Sequence, residues 1–154
     1  MAKKAHKRLV LLDAHAIIHR AYHALPDFSS SKGEPTGALF GLSTMLMKII
    51  QELNPDYIGV CFDLPKPTHR HEVFSDYKAG RKKTDDELAL QLQKSREVFS
   101  AFGVPIYDAD GFEADDVLGT IVHQLQDEPI EVVIASGDMD TLQLVEEDRV
   151  SVYT

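Results

Sequence analysis

The chain has a single cysteine, Cys61, which excludes any internal disulfide. It lies in "YIGVCFD", where it reads as a small buried hydrophobe in a strand. No apolar run approaches the ~20 residues needed to cross a bilayer, so a membrane protein is not expected. The start, "MAKKAHKRLVLLDAHA", is basic and then apolar, yet its apolar run from Leu9 to Leu12 stops at Asp13. That is too short for the core of a signal peptide, and a cytoplasmic protein is expected. Cations are in deficit: 16 Lys and Arg face 25 Asp and Glu, a net charge of −9. A general nucleic-acid binder would be basic. There is no internal repeat, no low-complexity tract and no linker, and no Ser or Cys stands beside a base at a recognisable spacing. Covalent catalysis therefore has no support.

What is present is a hydrophobic fraction of 44% over 154 residues, enough for one domain with a real core. The charge is also patterned. From Lys66 to Lys83, "KPTHRHEVFSDYKAGRKK" holds six Lys or Arg against two acids, with Phe74 and Tyr77 between them. A solvated loop would look like this, and so would a segment that grips a polyanion.

"RLVLLD" reads as a buried strand because its apolar residues run without alternation. "AHAIIHRAYHAL" reads as a helix with Ile17, Ile18, Ala21 and Leu25 inward, and "PDFSSSKGEPTG" as a loop. Leu39, Leu42, Leu46, Ile49 and Leu53 recur at three and four, which predicts an amphipathic helix from Thr36 to Leu53. "YIGVCF" is a second strand. "TDDE", Thr84 to Glu87, matches a capping box that opens a helix with Leu88, Leu92, Phe99 and Phe102 on one side, stopped at Gly103. "VPIY" is a third strand, Val117 to Leu125 a helix, "EVVIAS" a fourth strand and "RVSVY" a fifth. This alternation predicts an α/β fold: a doubly wound, mostly parallel five-stranded sheet with helices on both faces.

In such a sheet all strands point their carboxyl ends to one edge, where open α/β sheets bind ligands. Asp13 ends the first strand and Asp63 the second; Glu113, Asp115 and Asp116 follow the third, and Asp138 and Asp140 the fourth. Each group alone has a bland reading, as a helix cap, a solvated first turn or a plain turn. Together they are seven oxygen ligands converging on one edge, the donor type that suits Mg²⁺ or Mn²⁺. Their number suggests two ions, about 4 Å apart as in phosphodiester-cleaving sites. His15, His19 and His23 recur every four residues and share a helix face that could in principle hold a metal, but a polar solvent face opposite Ile17 and Ile18 is the favoured reading. His69 and His71 fall in the basic run, where phosphate contact or solvation suits them better than metal binding.

At these residues the chain resembles a known family. "DAHAIIHRAYHALP", "SSSKGEPTGALFG", "FDLPKPTHRHEVFSDYKAGRKKTDDEL", "GVPIYDADGFEADDVLGT" and "ASGDMDTLQLV" look like the 5′→3′ exonuclease domain of bacterial DNA polymerase I. That family includes the flap endonucleases and belongs to the PIN-like, resolvase-like group. The resemblance implies a divalent-metal-dependent 5′ nuclease, hydrolysing DNA at 5′ ends or flaps during replication and repair. It implies Mg²⁺ or Mn²⁺, two ions in the complete site, held by Asp13, Asp63, Glu113, Asp115, Asp116, Asp138 and Asp140. By the same resemblance Lys78 and Arg81 act on the scissile phosphate, Tyr77 stacks on a base, and Arg20 and Arg70 contact phosphates. Cations steady charge on phosphorus and an aromatic face accepts any base, so the chemistry agrees.

Two features depart from the family. Ala14 stands where the family has glycine, a mild change in backbone freedom. The family also continues beyond a segment of this length with a helix-hairpin-helix-like DNA-binding part, which residues 1–154 lack. The expectation is an N-terminal catalytic domain, monomeric, weak alone, with a polymerase domain as a possible neighbour in the parent chain. Only the basic run and the N-terminal Lys3 and Lys4 would offset repulsion from DNA. "DMDT" also fits an aspartyl phosphatase motif, but that motif belongs after the first strand. A receiver-type domain would want a lysine after its last strand, and none appears. The rival that remains is a metal- and DNA-binding module that does not cleave.

Overall fold

A computed structural model describes residues 6–154; Lys3 and Lys4 lie outside the described residues. The elements in chain order are β1 (Lys7–Asp13), α1 (Ala14–Ala24), α2 (Gly37–Leu53), β2 (Tyr57–Cys61), α3 (His69–Val73), α4 (Asp86–Ala101), β3 (Ile106–Tyr107), α5 (Ala114–Gln124), β4 (Ile130–Ala135), a 3₁₀ turn (Met139–Leu144) and β5 (Val150–Tyr153). The five strands form one sheet in the order β3-β2-β1-β4-β5, and all four pairings are parallel. The strand order runs one way from β1 to β3 and the other way through β4 and β5, so β1 and β4 flank the point of reversal.

Side chains alternate across β1. Val10 and Leu12 pack with Ile18, Leu42, Leu46, Phe62 and Phe99 under α1, α2 and α4. Leu11 packs on the other face with Leu118, Val122 and Ile134 under α5. Burial on both faces explains the unbroken apolar strand sequences. Among the described residues no helix is long and apolar enough to cross a membrane.

Local differences from the sequence reading have physical causes. The cap of α4 is Asp85, whose carboxylate accepts the Glu87 N–H at 2.9 Å, so the helix starts one residue later than a Thr84 cap implies. Thr36 gives α2 no side-chain cap. The buried Gln91 of α4 supplies the acceptor from across the core, its Oε1 taking the N–H groups of Ala38 (2.7 Å) and Leu39 (3.3 Å). Gly103 ends α4 at φ +71°, a left-handed conformation that suits glycine. Leu25 and Phe102 fall at helix ends and are only partly covered. The basic run is not loop throughout, because it contains the five-residue α3.

Candidate metal-binding site at the carboxyl edge

Asp13 closes β1 and caps α1, its Oδ1 accepting the Ala16 N–H at 3.3 Å. Its Oδ2 accepts the hydroxyl of Ser136 at 2.8 Å, and both residues are buried. Burial pushes the Asp13 carboxyl above its ordinary value, against the pull of these hydrogen bonds. Ser136 Oγ in turn accepts the N–H of Asp138 at 3.0 Å, so one hydroxyl ties the end of β1 to the turn after β4. Asp138 caps the 3₁₀ turn, its Oδ1 accepting the Asp140 N–H at 2.9 Å. On β2's side, Asp63 Oδ1 accepts the Ala114 N–H at 2.6 Å, at the start of α5.

Three acids packed into "EADD" diverge on folding. Glu113, the N-cap of α5, meets Lys78 Nζ at 2.5 Å, Arg70 Nη1 at 3.2 Å and Tyr77 Oη at 3.3 Å. Asp116 is held by both arms of the same Arg70 guanidinium, at 2.7 Å each, while its Oδ2 accepts the Glu113 N–H at 3.0 Å. Arg70 lowers the Asp116 carboxyl, and Asp116 raises the Arg70 guanidinium. Asp115 has neither kind of partner. Its carboxylate joins those of Asp138 and Asp140, with one ligand oxygen from each lying within 4.8 Å of the others. Burial first, and then the charges of Asp13, Asp138, Asp63 and Glu113, raise Asp115 to about 6. A divalent cation relieves such a cluster, and its all-oxygen donors fit Mg²⁺ or Mn²⁺.

These residues face one open cavity. Asp13, Asp63, Glu113, Asp115, Asp138 and Asp140 line it together with Arg20, Tyr77, Lys78 and Arg81. Asp116 and Arg70 do not line it, but Arg70 links Asp116 to the lining residue Glu113. Residues 74–81 form successive turns, with Lys78 at φ +60° in the left-handed region. Arg81 is exposed and makes no ion pair among the described residues. The cavity thus sets anionic oxygens opposite cations and one aromatic ring.

Ser136, His15 and His19 were not read from the sequence as site residues, and the pairing of Arg70 with Asp116 was not foreseen. Ser136 sits at a strand end and looks like strand. The Arg70–Asp116 fork spans 46 positions, beyond any local pattern. His15, expected on a solvent face, lines the cavity instead, as does His19, while His23 is exposed.

The sequence model of the family described as "5'-3' exonuclease, N-terminal resolvase-like domain" matches residues 8–154. The chain belongs to this family. Among its relatives, the DNA polymerase I of Chloroflexus aurantiacus is 42% identical over 143 residues, covering 92% of this chain and 15% of that protein. The 5'-3' exonuclease of Aquifex aeolicus is 38% identical over 142 residues, covering 92% of this chain and 49% of that protein. The chain therefore spans less than a sixth of the one and about half of the other. A bacteriophage T5 protein co-crystallised with metal ions aligns with a TM-score of 0.78 at 20% identity, over 96% of this chain and 55% of that one. A T5 flap endonuclease complexed with DNA and metal ions aligns at 0.73 and 18%, over 96% and 54%. At those identities the likeness is one of fold, the parallel resolvase-like sheet of this 5′-3′ exonuclease domain.

Proposed function

We propose that this 5′-3′ exonuclease family domain hydrolyses DNA phosphodiesters at 5′ ends or flaps, using two Mg²⁺ or Mn²⁺ ions. The observation that carries the reading is the Asp115–Asp138–Asp140 cluster at the strand ends, facing the cavity that Lys78 and Arg81 also line. Asp115, Asp138 and Asp140 would hold one ion, and Asp13, Asp63 and Glu113 supply the remaining cavity carboxylates for a second. Such ions supply Lewis-acid activation of water and neutralisation of phosphate charge. The protein's own groups do the rest. Lys78 and Arg81 offer positive charge to the phosphate, and Arg20 offers it along the strand. The Tyr77 ring gives a base a stacking surface. Ser136 fixes the oxygen of Asp13 that it donates to, so the carboxylate keeps one orientation. Asp116, expected as a ligand, and Arg70, expected as a phosphate contact, bond each other, and Arg70 also reaches Glu113, a network at the start of α5.

The 154 residues alone should cleave slowly. A net charge of −9 repels DNA, and the exonuclease relative is about twice as long as the matched segment. Single-turnover cleavage of 5′-labelled flap DNA with Mn²⁺ tests both statements. We expect slow cutting that Asp138→Asn abolishes, and faster cutting by a chain extended at its C-terminus with the segment that follows in such relatives. Retarded DNA without any cutting, in both lengths, would make this a binding module.

A further inference from the structure

We infer that Arg96 is a positioning residue for this cavity: stacked on Phe62 and tied to Asp108, it fixes the end of β2 so that Asp63 presents its carboxylate in one orientation. The inference rests on the metal-dependent reading above and deepens it, naming what holds one of the proposed ligands in place. β2 ends at Cys61, and the last ladder bond beside it runs from the Phe62 N–H to the Tyr107 carbonyl at 2.9 Å. Beyond that bond Asp63 makes no backbone hydrogen bond among the described residues. The sheet thus stops holding the chain just where the carboxylate is needed, and the side chain of Phe62 takes over.

Phe62 is buried and enclosed from several sides. The Arg96 guanidinium of α4 lies over its ring, 4.4 Å from the centroid. Phe99 meets the ring edge-on at 5.5 Å and 89°, and His15 at 6.2 Å and 79°. Arg96 is kept over the ring by Asp108, whose Oδ2 lies 2.8 Å from Nη2. Asp108 follows Tyr107, the β3 residue in register with Cys61, so the clamp joins α4 to the ends of two adjacent strands. A planar guanidinium over an aromatic face is a directional contact, and burial of the ring beneath strengthens it. No ion pair or hydrogen bond joins Arg96 to Asp63 among the described residues, so its action on Asp63 passes through Phe62. With that ring pinned, Asp63 directs Oδ1 to the Ala114 N–H at 2.6 Å, while Oδ2 accepts no hydrogen bond among the described residues.

The Ala114 amide reports the orientation of Asp63 without metal and without any nuclease assay. In the whole chain with chelator, Arg96→Ala should move the Ala114 amide proton resonance upfield, as its hydrogen bond to Asp63 lengthens. Calorimetric titration with Mn²⁺ should show one of two binding steps weakened by about tenfold and the other within about twofold. Asp108→Asn frees Arg96 from its anchor and should act in the same direction, which keeps the test decisive if Arg96→Ala does not fold. Lys94→Ala removes an equal charge from the same helix, where Lys94 pairs with Glu34 at 3.2 Å, and should change neither reading. An Ala114 resonance indifferent to both Arg96→Ala and Asp108→Asn would overturn the proposal, as would an equal change in Lys94→Ala. So would a Mn²⁺ step that Asp63→Asn removes and Arg96→Ala leaves unchanged. Asp63→Asn also separates the two readings: if it leaves both Mn²⁺ steps intact while Arg96→Ala still moves the Ala114 resonance, the metal-dependent reading of Asp63 falls and the clamp stands.

Discussion

Replacing Asp115 by Asn should make the metal-free protein more stable while removing its response to metal. The Asp115 carboxylate takes no hydrogen bond among the described residues, so the amide replaces it without breaking one. Its pKa is raised to about 6 by burial and by Asp13, Asp138, Asp63 and Glu113. The folded state therefore binds this proton more tightly than the unfolded chain, whose aspartates titrate near 3.9. With the sign so fixed, stability falls as pH rises from about 4 to about 6 and stays at the lower level above it. The full shift would be worth roughly 3 kcal/mol at 1.36 kcal/mol per pH unit, but Asp115 is only half-buried and solvent screening cuts that to about 1 kcal/mol. For a domain of this size, about 1 kcal/mol is ~2–4 °C in melting temperature. At pH 7.5 with chelator, Asp115→Asn should melt that much higher than the parent, and the gap should close near pH 4. Excess Mn²⁺ should then reverse the order, because mass action stabilises only the protein that binds it. A variant that melts at or below the parent without metal, or a gap that ignores pH, would refute the account of repelling charges.

Ser136→Ala removes a donor from the buried Asp13 and an acceptor from the Asp138 N–H, and should cost about 2 kcal/mol in urea unfolding at neutral pH. The loss should shrink as pH falls into the range where Asp13 is protonated. Arg81→Ala, at an exposed position without an ion pair among the described residues, should slow cleavage by about 10²-fold in an active C-terminally extended chain. Its melting temperature should stay unchanged; a parallel fall in both would make Arg81 structural.

The sheet was legible because β1 and β4 are buried on both faces and so carry continuous apolar sequence, and α2 because its apolar residues recur at three and four. The convergence of acids was legible for a topological reason: parallel strands must send Asp13, Asp63 and the segments after β3 and β4 to one edge. Side-chain direction was not. Successive helical residues are turned by about 100°, so of the three acids of "EADD" Glu113 and Asp116 meet Arg70 while only Asp115 joins Asp138 and Asp140. The α3 turn is too short to show a period and buries none of its residues, leaving nothing for a hydrophobic pattern to report. Arg70 and Ser136 act through contacts spanning 46 and 123 positions, set by tertiary packing alone.

The strand order also governs when this site can exist. β1 occupies the middle of the sheet, between β2 and β4, so the first strand made is completed by one of the last. At about 5–20 residues per second of synthesis, Ser136 follows Asp13 off the ribosome by roughly 6–25 s. Through that interval Asp13, Asp63 and Asp115 emerge with neither Asp138 nor Asp140 to join them. A nascent chain short of β4 can collapse helices onto β1 and β2, but it cannot assemble the acidic cluster. The acidic cluster thus assembles only together with closure of the sheet.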